Sequence, residues 1–344
     1  MDMKFKIIDV ATRAGVAPAT VSRVLNDSSK VTPKTRDKVM KIINELGYQP
    51  NAAAKNLRSQ KTMTIGVIVP DISNSYFSEV IKGIENIAYS KKYKVVICDT
   101  ENNEEKELEF LNLLTTRTID GVIMVAPMLA NEVILQIADN GYAIGIVGKQ
   151  IDHDRIPCIV TDNVKFSMKV ITHLVELGHR EIAFINGSAH AVDSYDRLEG
   201  YLKALREHHI PFRPELIEIG NFNETGGYEA IHRLFAKKIP FTAVYSANDE
   251  MALGVYRACS ELGIQIPMQL AVVGVDNNRI SKYITPPLST VNQPKYTMGA
   301  LLVEKLIDMM NENEYAENRV FKVDSELLIR GSSDFKKNGQ ESSK

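Results

Sequence analysis

The stretch IIDVATRAGVAPATVSRVLND, residues 7–27, decides the fold of the N-terminal part of this chain. Ile7, Ile8, Val10, Ala11 and Ala14 line one face of a helix, and Val16, Val21, Val24 and Leu25 line the face of a second. Only Gly15-Val16-Ala17 joins them. A connection that short, with glycine in it, makes the two helices cross steeply, as in a helix-turn-helix. A third stripe, Val39, Met40, Ile42, Ile43 and Leu46, stops at Gly47. Pro50 then breaks the chain, and residues 51–58 read as a short polar and alanine-rich helix inside a linker.

Charge separates this segment from the rest of the chain. Residues 1–61 hold twelve basic and five acidic side chains, a net charge of +7, so the remaining 283 residues of the 344 carry −9 against a total of −2. A small basic module ahead of a large acidic body raises nucleic acid or an anionic surface as its partner. Cys98, Cys158 and Cys259 are far apart and odd in number, with neither metal-site spacing nor a disulfide framework, which predicts a reducing, cytoplasmic setting and no metal or cofactor. No apolar run reaches the roughly 18 residues of a membrane span, and the first residues lack the apolar stretch of a secretion signal.

From Thr64 the pattern changes to short β-branched runs alternating with longer amphipathic segments. Runs at 65–69, 94–98, 121–125, 143–147, 159–161, 182–185, 243–246 and 271–275 read as buried parallel strands. Helices are expected at 77–90, 104–116, 165–177, 194–208, 225–237, 249–262 and 296–311. The fold class is therefore α/β, and about 280 residues of it exceed one ordinary core, so two lobes are expected.

The string IIDVATRAGVAPATVSRVLND, continued through KVTPKTRDKVMKIINELGYQPNAAAKNLRSQKTMTIGVIVPDISNSYF, closely resembles the lactose/galactose repressor family, and the similarity runs from about Ile7 to Arg330. The resemblance implies two doubly wound parallel-sheet lobes, like a periplasmic binding protein, behind a small all-α helix-turn-helix domain. It implies domains at 1–49 (helix-turn-helix), 50–61 (hinge helix and linker) and 62–332 (effector binding and dimerisation), with a disordered tail at 333–344. The function implied is that of a sequence-specific DNA-binding transcription regulator, a repressor acting as a homodimer on double-stranded operator DNA. Its affinity would be controlled by a small-molecule effector, a sugar or sugar derivative, bound between the lobes. The polar tail has no leucine heptads from which a tetramer could be built.

A helix entering the major groove presents short side chains near its N-terminus and a long donor further on. Pro18, Ala19 and Arg23 fit that description, while Thr20, Ser22 and Asn26 resemble phosphate-contacting positions. In the hinge segment Asn51, Ala54 and Lys55 resemble DNA-contacting residues, and Leu57 matches the apolar wedge that opens a base step from the minor groove. For the effector, the resemblance points to Asn74, Tyr76 and Phe77 in DISNSYF, Asp162 in VTDN, and Arg197, beside Asp196, in SYDRLEGY. It also points to Phe222 in GNFNETGGY, Asn248 in ANDEMALG and Asp276 in GVDNNRIS. Asp249 reads as a helix cap, and for Asp162 the cap and the ligand readings both stand. Three positions depart from the family: Lys6 and Ala17 replace hydroxyl residues that cap helices, and Gly148-Lys149 replaces a common Asp-Arg pair.

Two other functions are open to such a sequence. An enzyme would need a phosphate-cradling G-x-G-x-x-G after a strand, a G-x-S-x-G elbow or an H-E-x-x-H helix, and none is present. A transport receptor for sugars would not need the basic N-terminal module.

Overall fold

The computed structural model describes residues 5–25, 31–48, 61–312 and 319–334, and the chain divides into two compact units at Thr62. In the first unit, α1 (Ile7–Ala14), α2 (Pro18–Leu25) and α3 (Pro33–Leu46) pack around Val10, Ala14, Val21, Val24, Val39 and Ile43. Gly15 takes φ +63°, and the Val16 N–H returns 3.0 Å to the Ala11 carbonyl, which turns the chain within three residues. Lys6 cannot accept a cap bond through its side chain. The Asp9 carboxylate instead takes the Lys6 N–H at 2.7 Å, so one half of a capping box survives the loss of the hydroxyl. The hinge residues Asn51, Ala54, Lys55 and Leu57, and also Asn26, lie outside the described residues.

The second unit holds two parallel-dominated α/β sheets. Lobe 1 orders its strands β11-β5-β4-β3-β1-β2, built from β1 (Thr64–Val69), β2 (Lys94–Asp99), β3 (Gly121–Val125), β4 (Ala143–Val147), β5 (Cys158–Thr161) and β11 (Val320–Val323), all parallel. Helices α4 (Ser75–Ser90) and α11 (Lys295–Glu312) cover one face, where Ile65, Val67 and Val69 point. Helices α5 (Glu104–Thr115) and α6 (Asn131–Asp139) cover the other, where Ile68 and Met124 point. Burial on both faces is why β1, β3 and β4 read as continuous apolar runs; β2, expected as a buried strand, instead lies at the sheet edge with Val96 and Ile97 each 42% exposed.

Lobe 2 orders its strands β12-β10-β9-β8-β6-β7, from β6 (Ile182–Asn186), β7 (Ile217–Ile219), β8 (Ala243–Ser246), β9 (Ala271–Val275), β10 (Ser289–Asn292) and the antiparallel β12 (Glu326–Leu328). Its helices are α7 (Asn163–Glu176), α8 (Val192–Glu207), α9 (Glu224–Ala236) and α10 (Asp249–Leu262). The chain crosses between lobes three times: after Thr161, after Asn292 and after Val323. The ordered body also runs past the expected start of the tail. Ser333 is fully buried, with its hydroxyl 2.7 Å from Ser289 Oγ and 3.0 Å from His173 Nε2.

Helices α9 and α10 approach until backbone meets backbone. A Cβ at Gly254 would lie 2.1 Å from the Glu224 carbonyl oxygen, and one at Gly227 would lie 2.2 Å from that of Met251. Because α10 begins with Asn248 and Asp249 at the carboxyl end of β8, this crossing sets where those side chains stand. Gly254→Ala is therefore expected to destabilise the protein by about 1–3 kcal/mol or more, as overpacking does. Urea unfolding checks it, and an unmoved midpoint contradicts the crossing.

Candidate functional site

The surface of α2 divides cleanly. Val21 and Val24 are buried in the three-helix core, whereas Pro18, Ala19 and Arg23 are exposed and Thr20 and Ser22 are partly exposed. Ala19 and Arg23 are four residues apart and so share one face. Pro18 occupies the first helical turn, where no intrahelical partner exists for an N–H. Ala17, in the cap position, has only its carbonyl to offer, and that oxygen accepts the Thr20 N–H at 2.8 Å.

In the second unit the carboxyl ends of both sheets bring one set of side chains together. Arg197 of α8 is 3% exposed and held by three bonds: Nε donates to Asn163 Oδ1 at 2.9 Å, Nη1 to the Ala247 carbonyl at 2.5 Å and Nη2 to Asp193 Oδ2 at 3.1 Å. Asn163 closes the triangle by donating to Asp193 Oδ1 at 3.1 Å. The rings of Phe166 and Phe222 lie 5.5 and 5.6 Å from the guanidinium carbon, an arrangement that holds the plane of the cation. Of the five N–H groups, one on each terminal nitrogen makes no bond among the described residues.

Asp276 follows β9 with φ +112°, a backbone conformation that L residues rarely adopt, and is 4% exposed. Its Oδ1 accepts from Gln293 Nε2 at 2.8 Å, and Gln293 Oε1 accepts from Thr161 Oγ1 at 3.0 Å, so this carboxylate is wired to two of the crossings between lobes. Lys295 donates to the Asp276 carbonyl, and its ammonium lies 3.6 Å from Glu79. Burial pushes the Asp276 carboxyl up to about 6, although Arg197, Lys295 and Gln293 favour its charge. Tyr76 reaches this group from lobe 1: burial, then the charges of Asp193 and Asp276, push its phenol well up. The Tyr76 and Phe77 rings meet edge to face at 5.3 Å.

The remaining expected residues carry mainly local bonds. Asn74 caps α4, accepting the Tyr76 N–H at 2.9 Å, and Asp162 is an exposed cap of α7, accepting the Lys165 N–H at 2.9 Å. Asn248, not Asp249, caps α10: its oxygen takes the Met251 N–H at 2.9 Å while its amide donates to the Phe222 carbonyl at 2.9 Å, steadying that ring. Asp249 is fully buried, tied to Thr290 Oγ1 at 2.6 Å and the Asn278 N–H at 2.7 Å, and burial raises its carboxyl well above the usual range. Lys149 spends its ammonium on the Leu129 carbonyl at 3.1 Å, close to the buried Glu107. His153 lies 3.1 Å from Asp139 Oδ1, an ordinary surface pairing.

Asp193, Asn163, Phe166, Gln293 and Lys295 escaped the sequence reading. Asp193 alone had a signal, since a carboxylate four residues before an arginine on one helix forms an ion pair. The others meet the site from distant parts of the chain.

A helix-turn-helix unit joined to a two-lobed α/β body, with charged and aromatic side chains of both lobes gathered at the carboxyl ends of the sheets, defines a DNA-binding transcription regulator with an effector-binding domain. Residues 6–51 match the family model "Bacterial regulatory proteins, lacI family", and residues 171–333 match "Periplasmic binding protein-like domain". The catabolite control protein A of Priestia megaterium is 35% identical over 90% of this chain and 94% of its own length. The lac repressor dimer bound to operator and the anti-inducer ONPF matches with a TM-score of 0.85 at 28% identity, over 96% of this chain and 99% of that one. A LacI family transcriptional regulator from Enterococcus faecium with bound ribose matches with a TM-score of 0.70 at 29% identity, over 78% of this chain and 98% of that one. The chain belongs to the lacI family of bacterial regulatory proteins. Its relatives are transcription regulators, and among the described residues no helix is long and apolar enough to cross a membrane.

Proposed function

We propose that this chain is an effector-controlled repressor that binds a pseudo-palindromic operator as a homodimer and takes a sugar or sugar derivative between its lobes. The observation that carries the effector reading is Arg197 and Asp276 of lobe 2 facing Tyr76 of lobe 1, with two guanidinium N–H groups to spare. A sugar hydroxyl donates to a carboxylate while accepting from a guanidinium, and aromatic rings suit the C–H faces of a pyranose or furanose. The ribose-bound relative and the operator-bound lac repressor dimer are in keeping with this. Pro18, Ala19, Thr20, Ser22 and Arg23 are assigned to DNA, together with Asn26, Asn51, Ala54, Lys55 and Leu57 by resemblance. Asn74, Asp162 and Asn248 are assigned to shaping the cleft through the caps they make. The chain acts as a binding protein of the cytoplasm, without a catalytic step.

Two recognition helices related by a dimer axis require half-sites about one helical turn apart. With on the order of six to ten phosphates neutralised, affinity for such a site is expected to fall about 10³ to 10⁵-fold between roughly 50 and 200 mM salt. Fluorescence anisotropy on operator-like and scrambled duplexes measures it. A flat salt titration, or equal affinity for both duplexes, would sink the DNA reading. A melting-point screen over sugars, sugar phosphates and nucleobases tests the cleft separately.

A further inference from the structure

We propose that Asp193 selects the effector by charge, so that the cleft takes an uncharged polyhydroxylated ligand, a free sugar or glycoside, and turns away phosphorylated or carboxylated ones. The proposal deepens the cleft reading above and rests on it.

Helix N-termini gather at the carboxyl ends of parallel strands and are natural anion sites. Five of them here are already closed by side-chain oxygens: Asn74 on α4, Asn103 on α5, Asp162 on α7, Asn223 on α9 and Asn248 on α10. Helix α8, which carries Arg197, is not closed in this way. Its cap position is Ala191, which offers no side-chain acceptor, and Arg197 follows little more than one turn into the helix. An open N-terminus with a buried arginine just inside it would be a ready seat for phosphate or carboxylate. Asp193 occupies that seat. It lies in the first turn of α8, takes Arg197 Nη2 on one oxygen and Asn163 Nδ2 on the other, and leaves 24% of its side chain exposed.

The charges around it leave no room for a second anion. Asp193, Asp276, Arg197 and Lys295 balance to zero, and Glu79, 3.6 Å from the Lys295 ammonium, and the buried Asp249, on which Asp276 acts, add further carboxyls. Lys295 is spent, with its ammonium on the carbonyls of Asp276 and Asn277. Asp196 adds a carboxyl that burial, and then the charge of Asp193, pushes upward. A ligand anion arriving beside Arg197 would meet Asp193 and Asp276 with one cation shared among them, and like charges juxtaposed in a buried site are costly. A hydroxyl has no such conflict, because each can accept from a spare Arg197 N–H and donate to the Asp276 oxygen that Gln293 leaves open.

The test compares the full chain with Asp193→Asn and Asp193→Ser. Serine is included because an asparagine amide that kept its oxygen on Arg197 would turn an N–H toward Asn163 Nδ2. The probes are ribose, glucose and cellobiose, then ribose 5-phosphate, glucose 6-phosphate and inorganic phosphate, read by calorimetry and melting point. The natural chain is expected to bind at least one neutral sugar and to bind phosphorylated probes at least about tenfold more weakly. At least one variant is expected to gain about tenfold or more for a phosphorylated probe or phosphate itself. Tighter binding of a sugar phosphate than of its parent sugar by the natural chain would overturn the proposal while leaving the cleft reading intact. So would folded variants that gain nothing for phosphate. Absence of binding by every probe to all three proteins would overturn the cleft reading, and the proposal with it.

Discussion

Arg197→Ala is expected to abolish the response to effector, weakening its binding by about 2–5 kcal/mol, or roughly thirty-fold to several thousand-fold. The size follows from what the substitution leaves behind. Asp193 loses its cation, Asn163 Oδ1 loses its donor and the Ala247 carbonyl is stranded in a buried site. Phe166 and Phe222 lose the plane they pack against. Breaking a buried ion pair from one side also costs stability, on the order of 3 kcal/mol, so the melting point should fall along with the affinity. Arg197→Lys should rescue little, since one ammonium cannot make three divergent bonds in a plane. Operator binding without effector should persist in both variants at temperatures below their melting points. Calorimetry with a sugar that binds the natural chain decides it, and unchanged affinity in Arg197→Ala removes this residue from the cleft.

Asp276→Asn should do the opposite to stability while also ending the effector response. Holding this carboxyl at about 6 against an ordinary 3.8 means that its ionised form costs the fold about 3 kcal/mol at neutral pH, at ~1.4 kcal/mol per factor of ten. Because the folded value is raised, the favourable contribution is complete below about pH 4 and is lost as pH climbs through about 6. Asparagine keeps an oxygen for Gln293 Nε2 and leaves the Lys295 bond untouched, since that bond goes to the backbone carbonyl. Urea unfolding should therefore show the variant more stable by up to about 3 kcal/mol at about pH 7.5, with the gain shrinking to nothing near pH 4. A gain independent of pH, or a loss above neutrality, would contradict the origin assigned to this shift. Such a carboxylate is kept at a cost to stability, as functional groups often are.

The three N-terminal helices were legible because their apolar spacing, Gly15 and Gly47 are local signals. Seven of the eight apolar strands were legible for a related reason: strands buried on both faces must be apolar throughout, whereas β2 was legible from its β-branched run although it lies at the sheet edge with Val96 and Ile97 exposed. Strand β10 was not. Its sequence, STVN, reads as a polar loop, and it is buried because Ser289 meets Ser332, Ser333 and the Arg330 carbonyl while Thr290 meets Asp249. Helix α6 follows Ala130, which has no capping side chain, so it lacked a start signal, and the three residues of β7 and of β12 are too few to show a period. The resemblance brought Arg197, Asp276, Tyr76 and Phe222 to notice one by one, and the fold brings them together: Phe222 packs on the Arg197 guanidinium, which also acts on Asp276 and Tyr76. It did not bring Asp193 or Gln293.

What the sequence alone determined was everything carried by neighbours in the chain: the turn at Gly15, the exposed face of Ala19 and Arg23, the basic module ahead of an acidic body, and the alternation of strand and helix. What tertiary structure decided was how polar groups are spent. Asn248 and Asp249 are adjacent in sequence, yet one caps a helix and steadies Phe222 while the other is buried under Thr290. Lys149 and Lys295 are both lysines near strand ends, yet one answers Leu129 within lobe 1 and the other joins α11 to the loop that carries Asp276. A hydrogen bond or an ion pair is a relation between two groups, and when its members lie 34, 50 or 132 residues apart, as with Arg197 and Asn163, Arg197 and Ala247, or Thr161 and Gln293, only the folded chain brings them within reach.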